Sequence, residues 1–201
     1  PGKSLSTTFD PAAQNAAETA LASTTVPASL VAIRPSTGEI VATANGPATN
    51  GIDYADAGRA APGSTFKLVT SLALLRAGLT PDSLVPCTDT VTVDGRDFKN
   101  HADYAAGHSG MIPLRLALAY SCNTAFISQH TLISQDDLAD AAAALGVGVS
   151  FDTGYGGFLG SVPRQATATE HAASMIGQGK VEASALSIAT VAASIAKGTT
   201  V

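Results

Sequence analysis

Four side chains in two short motifs could do chemistry together. Ser64-Thr65-Phe66-Lys67 follows Pro62-Gly63, and Ser121-Cys122-Asn123 stands further along the chain. A serine hydroxyl is a poor nucleophile at neutral pH and needs a neighbour that takes its proton. Lysine can do so only when burial or nearby positive charge lowers its pKa. Residues three apart on a helix share a face, with Cβ atoms roughly 5–6 Å apart, so the Lys67 amine reaches the Ser64 hydroxyl unaided. Pro62 and Gly63 suit a loop that turns into a helix start, which places Ser64 in the first turn. Unpaired N–H groups and the positive end of the helix dipole favour a developing negative charge there. Phe66, Leu68 and Val69 supply apolar walls that would depress Lys67, and Ser121 with Asn123 adds a second polar wall.

S-x-x-K alone is a weak signal, because Ser194-Ile195-Ala196-Lys197 repeats it. That copy ends an apolar helical run just before Gly198, which reads as the residue after a helix C-terminus. Lys197 is there a cation at the negative end of the dipole, and Ser194 sits at the wrong end to be activated. Ser121-x-Asn123 could by itself simply cap the helix that begins at Thr124. The pairing of the two motifs carries the chemical reading.

The elements that must position them follow from pattern and punctuation. Asp10 and Pro11 form an N-cap and N1 pair for a helix to about Leu21. Segments 29–34 and 39–44 are β-rich around Pro35-Ser36-Thr37-Gly38 and predict a hairpin. Residues 45–61 are turn-rich. The helix that carries Ser64 and Lys67 is expected over 63–77, where Phe66, Val69, Leu72 and Ala73 keep helical spacing, and Gly78 and Pro81 stop it. Val91 to Val93 with Asp94-Gly95 predicts a small hairpin. Helices are expected over 113–120, from the S-x-N turn to about Leu132, over 135–145 behind a Ser134 cap, over 170–175 and over 184–197. Residues 146–160 read as a glycine-rich loop.

Pro62-Gly63-Ser64-Thr65-Phe66-Lys67 followed by Ser121-Cys122-Asn123-Thr124-Ala125-Phe126 resembles the transpeptidase domain of class B penicillin-binding proteins. Other segments agree along almost the whole length. Thr8-Phe9-Asp10 onward resembles the family's leading strand and first helix, and Thr37-Gly38-Glu39-Ile40-Val41-Ala42 its first hairpin. Ile176-Gly177-Gln178-Gly179 resembles its late loop. The resemblance implies an α/β (α+β) transpeptidase fold of the penicillin-binding-protein and β-lactamase kind, a helical subdomain plus an antiparallel sheet. It also implies roles: Ser64 the acylated nucleophile, Lys67 the base, Ser121 a proton relay to the leaving group, Asn123 a hydrogen-bonding partner of the substrate amide.

The family's K-T-G motif has no match; Lys197-Gly198-Thr199 has similar letters in the wrong order. The chain begins at Pro1 and stops at Thr199-Thr200-Val201, like the start of a strand. Residues 1–201 are therefore expected to be the N-terminal and central part of a transpeptidase domain within a longer polypeptide. The third-motif strand, and with it a second oxyanion-hole N–H, would lie outside them, and activity of these residues alone is doubtful.

The function implied is a peptidoglycan D,D-transpeptidase that cross-links stem peptides through an acyl-serine and is acylated by β-lactams. A serine β-lactamase is an alternative that shares S-x-x-K. Class A enzymes use a glutamate after the S-x-N region, and here the only later glutamates, Glu170 and Glu182, lack that pattern. Class D enzymes usually carry a small apolar residue where Asn123 stands. Slow deacylation is expected. A β-lactam sensor, or a degenerate scaffold, is the alternative from outside catalysis; the presence of Ser64, Lys67, Ser121 and Asn123 disfavours the scaffold.

With 201 residues and 45% hydrophobic content, one domain with a substantial core is expected. Eleven basic against 16 acidic residues give a net charge of −5 without a basic run, which argues against nucleic-acid binding. No stretch approaches about 20 apolar residues, so the membrane tether the family implies would lie upstream of Pro1, with the domain at the outer face of the bacterial cell membrane. No cofactor is implied, and the pattern sets no oligomeric state. His101, His108, His130 and His171 lack metal-ligand spacing and read as surface or structural residues. Cys122 should point away from Ser121 and Asn123. In an oxidising compartment Cys87 and Cys122 would form a disulfide that pins the S-x-N loop; two buried thiols are the alternative.

Overall fold

A computed structural model describes residues 2–150, 154 and 156–201. Part of the predicted 146–160 loop, residues 151–153 and 155, lies outside the described residues, as does Pro1. Helix α1 (Pro11–Leu21) starts where Asp10 accepts from the Ala12 and Ala13 amides at 2.8 and 3.1 Å. It packs Ala17 and Leu21 on Ala42 and Ala44 of a hairpin, β1 (Ser29–Arg34) and β2 (Glu39–Asn45). The hairpin turn closes through Gly38, at φ 82°, and an Arg34–Glu39 ion pair. The register shifts so that Ala32 faces Ala42 but Ile33 faces Ile40, leaving Val41 as an extra residue. Its carbonyl accepts from the Asp10 amide at 2.9 Å, and Ile40's accepts from Thr8 Oγ1. The leading strand expected at Thr8 to Asp10 does not form: the Asp10 amide meets the bulge of β2 instead.

The 63–77 helix is split. A 3-10 turn (Gly63–Phe66) precedes α2 (Lys67–Arg76). Gly63 enters at φ 58°, which glycine adopts without steric cost, and Thr65 Oγ1 donates to the Pro62 carbonyl at 2.7 Å. The chain then forms two small antiparallel pairs. Strand β3 (Leu84–Cys87) pairs with β6 (Gly110–Pro113), and β4 (Thr90–Val93) pairs with β5 (Arg96–Lys99) through Asp94 and Gly95, both at positive φ. Pro86 and the shortness of β3 hid the first pair from sequence reading.

Helices α3 (Leu114–Ala119) and α4 (Asn123–Ile127) flank the S-x-N turn. Helix α4 ends before Leu132 because Ser128 Oγ donates to the Ala125 carbonyl at 2.9 Å and the His130 ring lies 3.0 Å from the Ile127 carbonyl. Helices α5 (Gln135–Ala144), α6 (Ala168–Ser174) and α7 (Ala185–Lys197) open on capping boxes at Ser134, Thr167 and Ser184. The main core joins Phe66, Val69 and Leu74 of the α2 segment to Phe126 and Ile127 of α4, Leu138 of α5, and Met175. Among the described residues the strands thus form three two-stranded antiparallel sheets around a helical core, a mixed α/β arrangement.

Candidate active site

Ser64 is exposed on the 3-10 turn while Lys67, at the start of α2, is fully buried. One turn places them together: Lys67 Nζ is 3.1 Å from Ser64 Oγ. The S-x-N turn reaches the same amine from the opposite side. Nζ lies 2.8 Å from the Ser121 carbonyl, 2.9 Å from Ser121 Oγ and 2.6 Å from Asn123 Oδ1. Asn123 Nδ2 donates to the Lys99 carbonyl at 3.1 Å. Because that carbonyl can only accept, the amide must present its oxygen to lysine.

Counting donors defines the protonation state that can react. A neutral amine has two N–H bonds and one lone pair. The Ser121 carbonyl and Asn123 Oδ1 can only accept, so they take both N–H bonds. The lone pair is left for a hydroxyl, Ser64 or Ser121, to donate into. Burial pushes the Lys67 pKa down to about 8. The Phe126 ring, whose centroid lies 5.7 Å from Nζ, forms part of the apolar wall.

The supporting shell is backbone-rich. Gly63 N–H donates to the Gly177 carbonyl at 2.9 Å, and Thr70 Oγ1 donates to the Met175 carbonyl at 2.8 Å. The 175–179 loop is thereby bolted beneath the Ser64 turn. A disulfide joins Cys87 of β3 to Cys122 in the S-x-N turn. Asn100 braces the same turn, accepting from the Thr124 amide at 3.1 Å and donating to the Thr88 carbonyl at 3.0 Å. Ser121 itself sits at φ 58°, a left-handed conformation that costs a non-glycine residue of order 1–2 kcal/mol.

Sequence reasoning brought Ser64, Lys67, Ser121 and Asn123 to one place and named their side chains. It picked out Gly177 as part of a late loop but not as a support of the Ser64 turn. It missed the carbonyls of Ser121 and Lys99, and Asn100 and Thr70, since backbone acceptors and braces leave no signature in spacing. Ser194 is buried; its Oγ accepts from the Val201 amide at 3.2 Å, and Gly198 at φ 79° ends α7 there, so the second S-x-x-K is structural. His171 is buried, with Nε2 at 2.9 Å from the Ile133 carbonyl, 3.0 Å from that of His130, and Nδ1 at 2.7 Å from Gln135 Oε1. No cluster of three metal-ligating side chains occurs among the described residues.

A family model described as the penicillin binding protein transpeptidase domain matches residues 28–201. The peptidoglycan D,D-transpeptidase PbpA of Mycobacterium tuberculosis is 34% identical over 88 residues, 43% of this chain and 18% of that protein. Penicillin-binding protein 1A of M. tuberculosis is 32% identical over 158 residues, 75% of this chain and 19% of that protein. Among solved structures, penicillin-binding protein A of M. tuberculosis as a penicillin G acyl-enzyme complex gives a TM-score of 0.84 at 26% identity, covering 96% of this chain and 52% of that one. Penicillin-binding protein 2 of Pseudomonas aeruginosa gives 0.80 at 27% identity, covering 94% and 50%. The matched residues thus span about half of these solved chains and less than a fifth of the length of PbpA.

Proposed function

This chain belongs to the penicillin-binding protein transpeptidase domain family, and from that premise we propose that it serves a serine D,D-transpeptidase that cross-links peptidoglycan stem peptides. The observation that carries the proposal is one buried amine, poised near pH 8, within hydrogen-bond reach of an exposed serine hydroxyl and of a second serine. Ser64 Oγ attacks the carbonyl carbon of the penultimate D-alanine as its proton passes to neutral Lys67 Nζ. Ser121 then takes a proton from Nζ and gives its own to the departing amine, so that D-alanine leaves and an acyl-Ser64 ester remains. An acceptor amine attacks that ester, its proton returns through the same pair, and Ser64 is released as the new amide forms. The name of PbpA as a D,D-transpeptidase and the penicillin G acyl-enzyme of penicillin-binding protein A support this chemistry.

β-Lactams would acylate Ser64 as mimics of the donor peptide. Hydrolysis of that adduct should be slow. Glu170 pairs with Lys180 and Glu182 with Arg59, so neither late glutamate is a free base for water. Asn123 is expected to hold Lys67 before it holds substrate, since both ends of its amide are engaged. Contact with a substrate amide would then require exchange with the Lys99 carbonyl. The disulfide favours an oxidising, extracytoplasmic compartment. No helix among the described residues is long and apolar enough to cross a membrane, so a tether would come from elsewhere in the polypeptide. Residues 1–201 would then be the N-terminal and central part of the domain, with the K-T-G strand beyond them; their coverage of about half of the solved relatives supports this.

Intact mass analysis of the full-length protein with excess benzylpenicillin tests the reading. One covalent adduct, mapped to Ser64 and persisting for many minutes, is the expected result. No adduct would sink the proposal, and rapid turnover of a chromogenic cephalosporin would replace it with a β-lactamase.

A further inference from the structure

Ser121 follows α3 in the left-handed pose common after a helix end, closed by its own N–H on the Leu118 carbonyl at 3.0 Å and the Cys122 N–H on the Ala117 carbonyl at 2.9 Å, and further contacts brace that turn on each side. With φ at 58°, the Ser121 carbonyl and Oγ both face Lys67 Nζ, at 2.8 and 2.9 Å. A non-glycine residue keeps such a conformation when its neighbours over-determine it. Downstream, Cys122 is locked to β3 by the disulfide. Upstream stands Tyr120, whose ring stacks on the His108 imidazole, centroids 3.6 Å apart and planes 10° from parallel.

His108 is itself carried on a braced loop. Tyr104 Oη donates to the His108 carbonyl at 3.2 Å and lies 3.2 Å from Cys87 Sγ. Two residues on, Gly110 faces Cys87 in the β3–β6 register. The contacts close a ring: Ser121, Tyr120, His108, Tyr104, Cys87, Cys122 and back to Ser121. One arc of that ring is covalent. The other rests on a stack of two half-exposed rings.

We propose that His108 is a positioning residue for the reaction: by stacking on Tyr120, the last residue before Ser121, it steadies the helix end whose left-handed turn presents both Ser121 oxygens to Lys67. The inference rests on the transpeptidase reading for its kinetic consequence but not for its structural one. His108 touches neither Ser64 nor Lys67, so its effect should fall on the acylation rate constant and leave non-covalent binding of the β-lactam unchanged.

The test uses the full-length protein and two substitutions of similar bulk. H108L keeps the volume and removes the aromatic face; H108F keeps the face and removes the ring nitrogens. Rapid-mixing acylation by a fluorescent penicillin should show H108L slowed about ten- to a hundredfold at unchanged initial binding, the scale of a misplaced catalytic group. H108F should recover to within about threefold of wild type, and Y120L combined with H108L should be no slower than either alone, as coupled residues behave. A merely structural role would instead lower the melting temperature and alter binding and rate together. H108L acylating at the wild-type rate, or H108F as slow as H108L, overturns the inference. If the wild-type protein forms no adduct at all, the functional reading fails, and a crystal structure of H108L still decides this one. Ser121 leaving the left-handed region and losing its carbonyl bond to Nζ supports it; an unchanged Ser121 overturns it.

Discussion

Lys67 Nζ faces two carbonyl oxygens and two hydroxyls, and that ratio governs its chemistry. An ammonium would spend its three protons on the carbonyls and one hydroxyl, and could accept none. The base is therefore the neutral form, whose share falls about tenfold per pH unit below the pKa. With that pKa at about 8, the acylation rate at fixed β-lactam should rise with pH and level off above about 8, which stopped-flow rates from pH 6 to 9 would check. A profile flat from pH 6 to 7.5 would contradict it. Stability shifts in the same direction. The unfolded lysine keeps its proton up to about 10.5, so between about 8 and 10.5 the unfolded chain binds more protons and this residue's contribution to stability rises with pH. Asn123→Asp makes a sharper test. A carboxylate in place of Oδ1, 2.6 Å from Nζ, favours the ammonium, so the acid limb should move upward by a unit or more and acylation at pH 7 fall at least about tenfold.

Segments that hold no catalytic side chain decide whether the two motifs meet. The 3-10 turn that lifts Ser64 rests on the 175–179 loop, and Gly177 sits at φ 67° where an added Cβ would lie 2.2 Å from the Gly63 carbonyl oxygen. Gly177→Ala must displace the Ser64 turn or the loop. Acylation should drop about a hundredfold, with a loss of roughly 1–3 kcal/mol in chemical denaturation. The disulfide spans a sequence separation of 35, and removing it with paired Cys87→Ser and Cys122→Ser should cost about 2–4 kcal/mol by the same measurement. A double variant as stable as the parent would show that hydrogen bonds from Asn100 and Thr124 hold this turn without the crosslink.

Among the described residues, two cores of unequal size can be told apart. One runs through α2, α4 and α5 beneath Ser64 and Lys67; the other is the alanine-rich contact of α1 with the β1–β2 hairpin, built on Ala17, Leu21, Ala42 and Ala44. Small side chains bury little apolar area, so the second unit should open at lower free energy than the first. Native-state hydrogen exchange should find α1 amides exchanging well before those of α2 and α4. Matching protection in both units would mean that the cores unfold as one.

Local chemistry was legible before the fold was known. The spacing of Ser64 and Lys67 put them on one face, Asp10-Pro11 announced a helix, Asp94-Gly95 a hairpin, and Gly198 ended the helix that neutralises the second S-x-x-K. These are interactions within a few residues, where spacing and backbone preference decide the outcome. Tertiary structure decided the rest: that the carbonyl of Ser121 and the amide of Asn123 claim the protons of Lys67, that Cys87 reaches Cys122, that Thr8 to Asp10 meets a bulge and not a ladder, and that His108 lies on Tyr120. All of these contacts join distant parts of the chain: residue type could mark the two cysteines and Asn123 as candidates, but the backbone atoms and ring faces in the others leave no mark in residue type or spacing.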